Sequence, residues 1–145
     1  MKKLRIKCCS TEIIFATDSE KIYNYFLTDE EQVPETIPGI EIIPDEMADL
    51  NGKYLIYLDK SPSVVQINPD LNQALICVPE NELYLPDLIY LILSMFAKEL
   101  NKIDKYFIHC AIVEKDGTSI LTSGEPGSGK TTLAMFLCME KGYKF

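Results

Sequence analysis

The sequence predicts a mixed α/β fold, α+β overall. Short runs of β-branched and aromatic residues crowd its first half and are separated by turn residues. One long apolar run with helical spacing follows, and further on a glycine-rich segment stands between a strand pattern and a helix pattern. The expected organisation is a β-rich part over residues 1–82, suited to recognising a partner or substrate, and a second part over 83–145 holding a core helix, a hairpin and the glycine-rich loop.

Residues 4–8 and 12–16 read as a strand pair with a tight connection at Ser10-Thr11. Thr17-Asp18-Ser19-Glu20 supplies a capping-box pattern, and Ile22, Tyr23, Phe26 and Leu27 recur at helical spacing, which predicts a helix over 19–27. Residues 28–38 are acidic and hold Pro34 and Pro38. Strands are expected at 40–43, 53–58, 64–67 and 74–78, separated by Pro44-Asp45, Asn51-Gly52, Ser61-Pro62 and Asn68-Pro69-Asp70. This region reads as antiparallel. Pro86 suits a first helical turn, and the run over 87–102, apolar on more than one face, reads as a helix in the core. Residues 106–113 and 118–122 flank Asp116-Gly117, a strong hairpin signal.

The formal charge of −8 gives a field that repels polyanions, so nucleic acid and anionic membrane are excluded as expected partners. Lys2, Lys3, Arg5 and Lys7, and Lys141 with Lys144, form only short clusters that read as solvated surface. Five cysteines make an odd count without C-x-x-C spacing, and no apolar run follows Met1-Lys-Lys-Leu-Arg, which fits a reducing cytoplasm. Cys8 and Cys9, read as neighbours on a strand, would point to opposite faces, which argues against a shared metal. The most apolar stretch, 88–97, is about half the length of a bilayer span.

The segment Gly124-Glu125-Pro126-Gly127-Ser128-Gly129-Lys130-Thr131 matches G-x-x-x-x-G-K-[ST], the Walker A pattern. A strand pattern at 119–122 precedes it, and a helix pattern at 130–141 follows, with Gly142 at the stop position. A phosphate chain needs several donors converging on it, and only backbone free of side chains comes close enough to supply them. Gly127 and Gly129 give that freedom, with Gly124 opening the loop. The N–H groups from about Gly127 through Ser128 to Thr131 are expected to form the cradle, helped by the positive end of the helix dipole. Lys130 would reach the β and γ phosphates of ATP, the Thr131 hydroxyl would ligate Mg²⁺, and Thr132 is placed to contact the α phosphate. On the helix, Leu133, Phe136 and Leu137 form one apolar face, and Ala134 with Cys138 an adjoining one, for packing on a sheet.

Phe107-Ile108-His109-Cys110-Ala111-Ile112-Val113, the Asp-Gly turn, Ile120-Leu121-Thr122-Ser123-Gly124, the loop, and Leu133-Ala134 through Gly142-Tyr143-Lys144-Phe145 together resemble the HPr kinase/phosphorylase-like family. The loop region is also distantly similar to that of phosphoenolpyruvate carboxykinase. The resemblance implies the start of a P-loop kinase core and phosphoryl transfer from ATP to a serine hydroxyl. It places Lys130 and Thr131 in the roles given above and His109 near the active site as the catalytic candidate. It also implies a homo-oligomer. Two departures stand out: Thr132 follows Lys130-Thr131 where the family has Glu, and the family's aspartate pair would lie beyond the segment matching Gly142 to Phe145. The expectation is therefore a fragment, inactive by itself. Glu114 and Glu125 are weaker substitutes for the missing base. Two other readings stay open: a P-loop ATPase or GTPase of another family, and a non-enzymatic interaction or regulatory module with a vestigial nucleotide loop.

Overall fold

A computed structural model describes residues 1–27 and 40–145, and the acidic, proline-bearing segment expected at 28–38 lies outside the described residues. The described chain is mixed α/β and divides into two compact units, Met1–Lys105 and Tyr106–Phe145.

The first unit is built on a six-stranded sheet of β1 (Lys2–Cys8), β2 (Thr11–Thr17), β3 (Ile40–Pro44), β4 (Tyr54–Leu58), β5 (Val64–Asn68) and β6 (Gln73–Cys77), in the order β3-β1-β2-β4-β6-β5. β1 and β2 pair antiparallel from Lys2↔Thr17 to Cys8↔Thr11. The turn is therefore Cys9-Ser10, one residue earlier than expected, and Cys9 takes φ 55, a left-handed value. Cys9 thus leaves the strand, so the opposite-face argument does not apply to it. Cys8 is buried while Cys9 is exposed.

The expectation of an antiparallel region fails at the centre of the sheet, where β2 pairs parallel with β4 and β4 pairs parallel with β6. The cause is a skipped position. After β4 the chain passes the place of its neighbour, forms β5 at the edge, and returns antiparallel as β6 into the gap. Turn residues mark a reversal of direction but carry no record of which strand lies alongside.

Two helices of the first unit, α1 (Glu20–Leu27) and α2 (Leu85–Asn101), share one apolar cluster with this sheet. Ser19 caps α1: its hydroxyl accepts the Ile22 N–H at 3.1 Å, while Thr17 Oγ1 accepts the Ser19 N–H. Phe26 of α1 meets Phe15 of β2 with ring centroids 4.9 Å apart. On α2, Pro86 sits in the first turn, and Leu88, Ile92, Met95, Phe96 and Leu100 form a single buried stripe. Each such side chain removed from water stabilises the unit by about 1.5–3 kcal/mol. The helix assigned to the second part by sequence therefore belongs to the first, and Tyr90, 66% exposed, shows that its apolar residues do not all enter the core.

Three carboxylates follow the carboxyl ends of the parallel strands and brace one another. Asp18 accepts the Asp59 N–H at 2.9 Å, Asp59 accepts the Glu80 N–H at 2.7 Å, and Glu80 accepts the Ser19 hydroxyl at 2.6 Å and pairs with Lys21 at 3.0 Å.

In the second unit β7 (Cys110–Lys115) and β8 (Thr118–Ser123) form a hairpin on Asp116-Gly117, both at positive φ, as the Asp-Gly signal demands. Glu114 braces this turn by accepting the Gly117 N–H at 2.6 Å. α3 (Lys130–Lys141) ends at Gly142, φ 70, and returns the chain to β7, where Glu114 and Lys144 exchange backbone hydrogen bonds of 2.8 and 2.9 Å.

The core of this unit is Ala111, Val113 and Ala134, with Ile120, Leu137, Cys138 and Tyr143 against them. The expected helix face is corrected accordingly. Ala134, Leu137 and Cys138 turn inward at i, i+3 and i+4, whereas Leu133 and Phe136 are exposed. Among the described residues no helix is long and apolar enough to cross a membrane.

Candidate functional site

The glycine-rich loop occupies the junction between β8 and α3, the strand-to-helix bend its pattern requires. Glu125-Pro126-Gly127-Ser128 closes a turn in which the Ser128 N–H donates to the Glu125 carbonyl at 3.1 Å. Proline at the second position and Gly127 at φ 80 in the third suit a type II turn. Gly129, φ 84, then forms the helix N-cap, and the first α3 bond of the ladder runs from Leu133 N to Gly129 O at 2.9 Å. A side chain at either left-handed position would be strained. Gly124 differs: a Cβ there would lie 2.8 Å from Ser128 Oγ, so this exposed hydroxyl would have to turn aside.

Among the described residues no side chain caps α3. The N–H groups of Lys130, Thr131 and Thr132, the first three residues of the helix, therefore precede its first ladder bond and aim out of its positive end. This differs in detail from the expected cradle. Ser128 N–H is taken up inside the turn, and Thr132 N–H joins those that precede the first ladder bond.

Lys130 folds back over the loop, its ammonium donating to the carbonyls of Gly124 at 2.9 Å and Glu125 at 3.0 Å. The loop and the first turn of the helix are exposed, Lys130 being half-buried. Thr131 and Thr132 side chains make no hydrogen bond among the described residues, so both hydroxyls can be offered to a ligand.

His109 departs from its expected place inside an apolar strand. β7 begins at Cys110, and His109 precedes it as an exposed residue. The register Cys110↔Ser123 nevertheless sets it one step beyond the last pair, at the loop end of the hairpin, level with Gly124. The two substitute acids separate: Glu125 lies in the loop, while Glu114 lies at the opposite, turn end of the hairpin and is engaged there.

Among the described residues no three His, Cys, Asp or Glu side chains converge to hold a metal. Mg²⁺ carried on phosphates keeps several waters and needs few protein ligands, and the free hydroxyl of Thr131 fits such a role.

A cleft of about 400 Å³ lies on the first unit, lined by Arg5, Thr11, Glu12, Asp49 and Lys53 among others. Its cations are already matched. Arg5 is bound to Asp45 and Glu12, which push its pKa further up, and Lys53 meets Glu99 at 2.7 Å. Neither this cleft nor the brace of Asp18, Asp59 and Glu80 was foreseen from the sequence. Their residues lie far apart along the chain and share no local motif.

Comparison with family models, curated proteins and solved structures finds no match to this chain.

Proposed function

We propose that the chain binds the phosphates of ATP, with Mg²⁺, on residues 124–132, and that the activity built on this site is phosphoryl transfer to a serine hydroxyl. One observation carries the reading: two left-handed glycines, an uncapped helix start and a lysine folded onto the loop coincide at a single strand-to-helix bend. Gly124 and Gly127 let the backbone approach, Gly129 opens the helix end, and the N–H groups of Lys130, Thr131 and Thr132 receive phosphate oxygens. Lys130 exchanges two carbonyl partners for a charged oxygen, which is the stronger acceptor. Thr131 holds Mg²⁺, which neutralises charge on the phosphates when bound. His109, exposed at the loop end of the hairpin, takes the proton of the attacking hydroxyl.

Isothermal titration with Mg·ATP, Mg·ADP and AMP tests the binding step. The affinity is expected to fall as phosphates are removed. Equal affinity for all three, or no heat with ATP, would remove the loop from consideration.

A further inference from the structure

The sheet of the first unit ends in two unlike edges. β3 carries Glu41 and closes on Pro44, two devices that discourage another strand from joining. β5, Val64-Val65-Gln66-Ile67-Asn68, has neither charge nor proline, and all five residues are exposed. Val65 and Ile67, 58% and 56% exposed, lie on one face of the strand. Among the described residues its only strand partner is β6, so alternate N–H and C=O groups on the other side face outward without a strand partner there.

We infer that β5 is a self-association edge, pairing antiparallel with β5 of a second copy across a two-fold axis at Gln66. The sequence of the strand suits its own reverse. That register sets Val65 against the partner's Ile67, Gln66 against the partner's Gln66 and Val64 against the partner's Asn68. The pairs Val65 with Ile67 and Val64 with Asn68 each occur twice, as an isologous contact requires. A chain of charge −8 repels its copies, and β5 is an uncharged line along which two can approach.

The flanks add complementarity. Lys60 precedes the strand and Asp70 follows it; both are exposed, and neither makes an ion pair among the described residues. The antiparallel arrangement brings Lys60 toward the partner's Asp70 at both ends, whereas a parallel one would set Asp70 beside the partner's Asp70. A contact limited to five residues per copy is small, so the dimer is a weak one.

Sedimentation velocity over a concentration series tests this. The native chain is expected to pass from monomer to dimer as concentration rises. Ile67→Lys, a charge on an already exposed edge, should weaken association about tenfold or more. Lys60→Glu and Asp70→Lys should each weaken it by about fivefold, since symmetry removes two ion pairs at once, and the double reversal should restore it. A chain monomeric at every concentration would overturn the proposal. So would a dimer indifferent to Ile67→Lys, or charge reversals that the double variant fails to rescue. Circular dichroism of each variant separates lost association from lost folding.

Discussion

The ammonium of Lys130 lies 2.9 Å from the carbonyl oxygen of Gly124, so the lysine closes the loop on itself across its full span. That arrangement holds the side chain over the space between the loop and the helix start, where an anion would sit. If phosphates bind as proposed, replacing Lys130 by Ala removes one charge-assisted hydrogen bond to them, worth about 1.5–3 kcal/mol. Mg·ATP affinity should fall about tenfold to a hundredfold by calorimetry. Thermal stability should shift little, because Lys130 is half-buried and takes no part in the apolar core. Unchanged affinity would place the phosphates elsewhere.

Gly124 and Gly129 should fail in different ways. At Gly129, φ 84, alanine brings left-handed strain of about 1–2 kcal/mol, which a denaturant melt would read as lost stability. At Gly124 the φ is not left-handed, and the obstacle is Ser128 Oγ at 2.8 Å, with Ser128 Cβ at an ordinary 3.5 Å. Gly124→Ala should therefore reduce nucleotide affinity more than stability, and Ser128→Ala added to it should recover the affinity. A double variant no better than the single one would refute the contact.

Where the proposed phosphoryl transfer takes place, His109→Ala should leave ATP affinity unchanged and slow the transfer by about 10²–10⁴-fold, the usual contribution of a positioned acid–base group. The measurement is single-turnover transfer of the γ-phosphoryl group to a serine peptide. Full activity in the variant would return His109 to the surface as an ordinary polar residue.

The parts of this molecule that could be read from sequence are those fixed by neighbours in the chain. Asp116-Gly117 takes positive φ at both positions because the turn needs it, Ser19 caps α1 within three residues, and Gly142 stops α3. The strand-loop-helix order around Lys130 is equally local. What escaped was decided by distant partners. The parallel pairing of β4 and β6 depends on β5 passing to the edge, and the place of α2 depends on Phe96 and Leu88 meeting the sheet of the first unit. His109 was misplaced because the apolar run 106–113 reads as one strand, whereas pairing with β8 begins only at Cys110. Leu133 and Phe136 look like a core stripe until the hairpin is seen to cover only Ala134, Leu137 and Cys138.

Stability should decline at both ends of the pH scale for separate reasons. Ser19 and Lys21 hold the Glu80 carboxyl below its ordinary 4.5, so its contribution is present above that value and is lost as pH falls through the lower, folded one. Glu80→Gln should flatten this acid limb. Burial, with Asp59, Glu80 and Asp18 nearby, pushes the Tyr57 hydroxyl up to about 12 from 10.0. Its contribution is complete below pH 10 and disappears as pH rises toward 12, since the unfolded chain ionises first. Tyr57→Phe should remove that alkaline loss while giving up the 2.9 Å bond to the Val78 carbonyl, about 1 kcal/mol at neutral pH. Urea melts from acid to alkaline pH would show both limbs, and a Tyr57→Phe profile parallel to the native one would reject the assignment.

Phe96 is wholly buried on α2, and one residue earlier the Met95 carbonyl accepts the Asn72 side-chain N–H at 3.1 Å. Asn72 is itself buried and takes φ 54 in the turn between β5 and β6, so its amide ties that turn to the helix. The two contacts stabilise the same packing by different physics. Phe96→Ala leaves a cavity and should cost about 3–5 kcal/mol. Asn72→Ala loses the hydrogen bond, leaves the left-handed position to a residue that tolerates it poorly, and should cost about 1–3 kcal/mol. Because both act on one helix-to-sheet contact, their combined cost should depart from the sum of the two by more than about 0.5 kcal/mol. Strict additivity in a double-mutant cycle would mean that the turn and the helix are not joined through this amide.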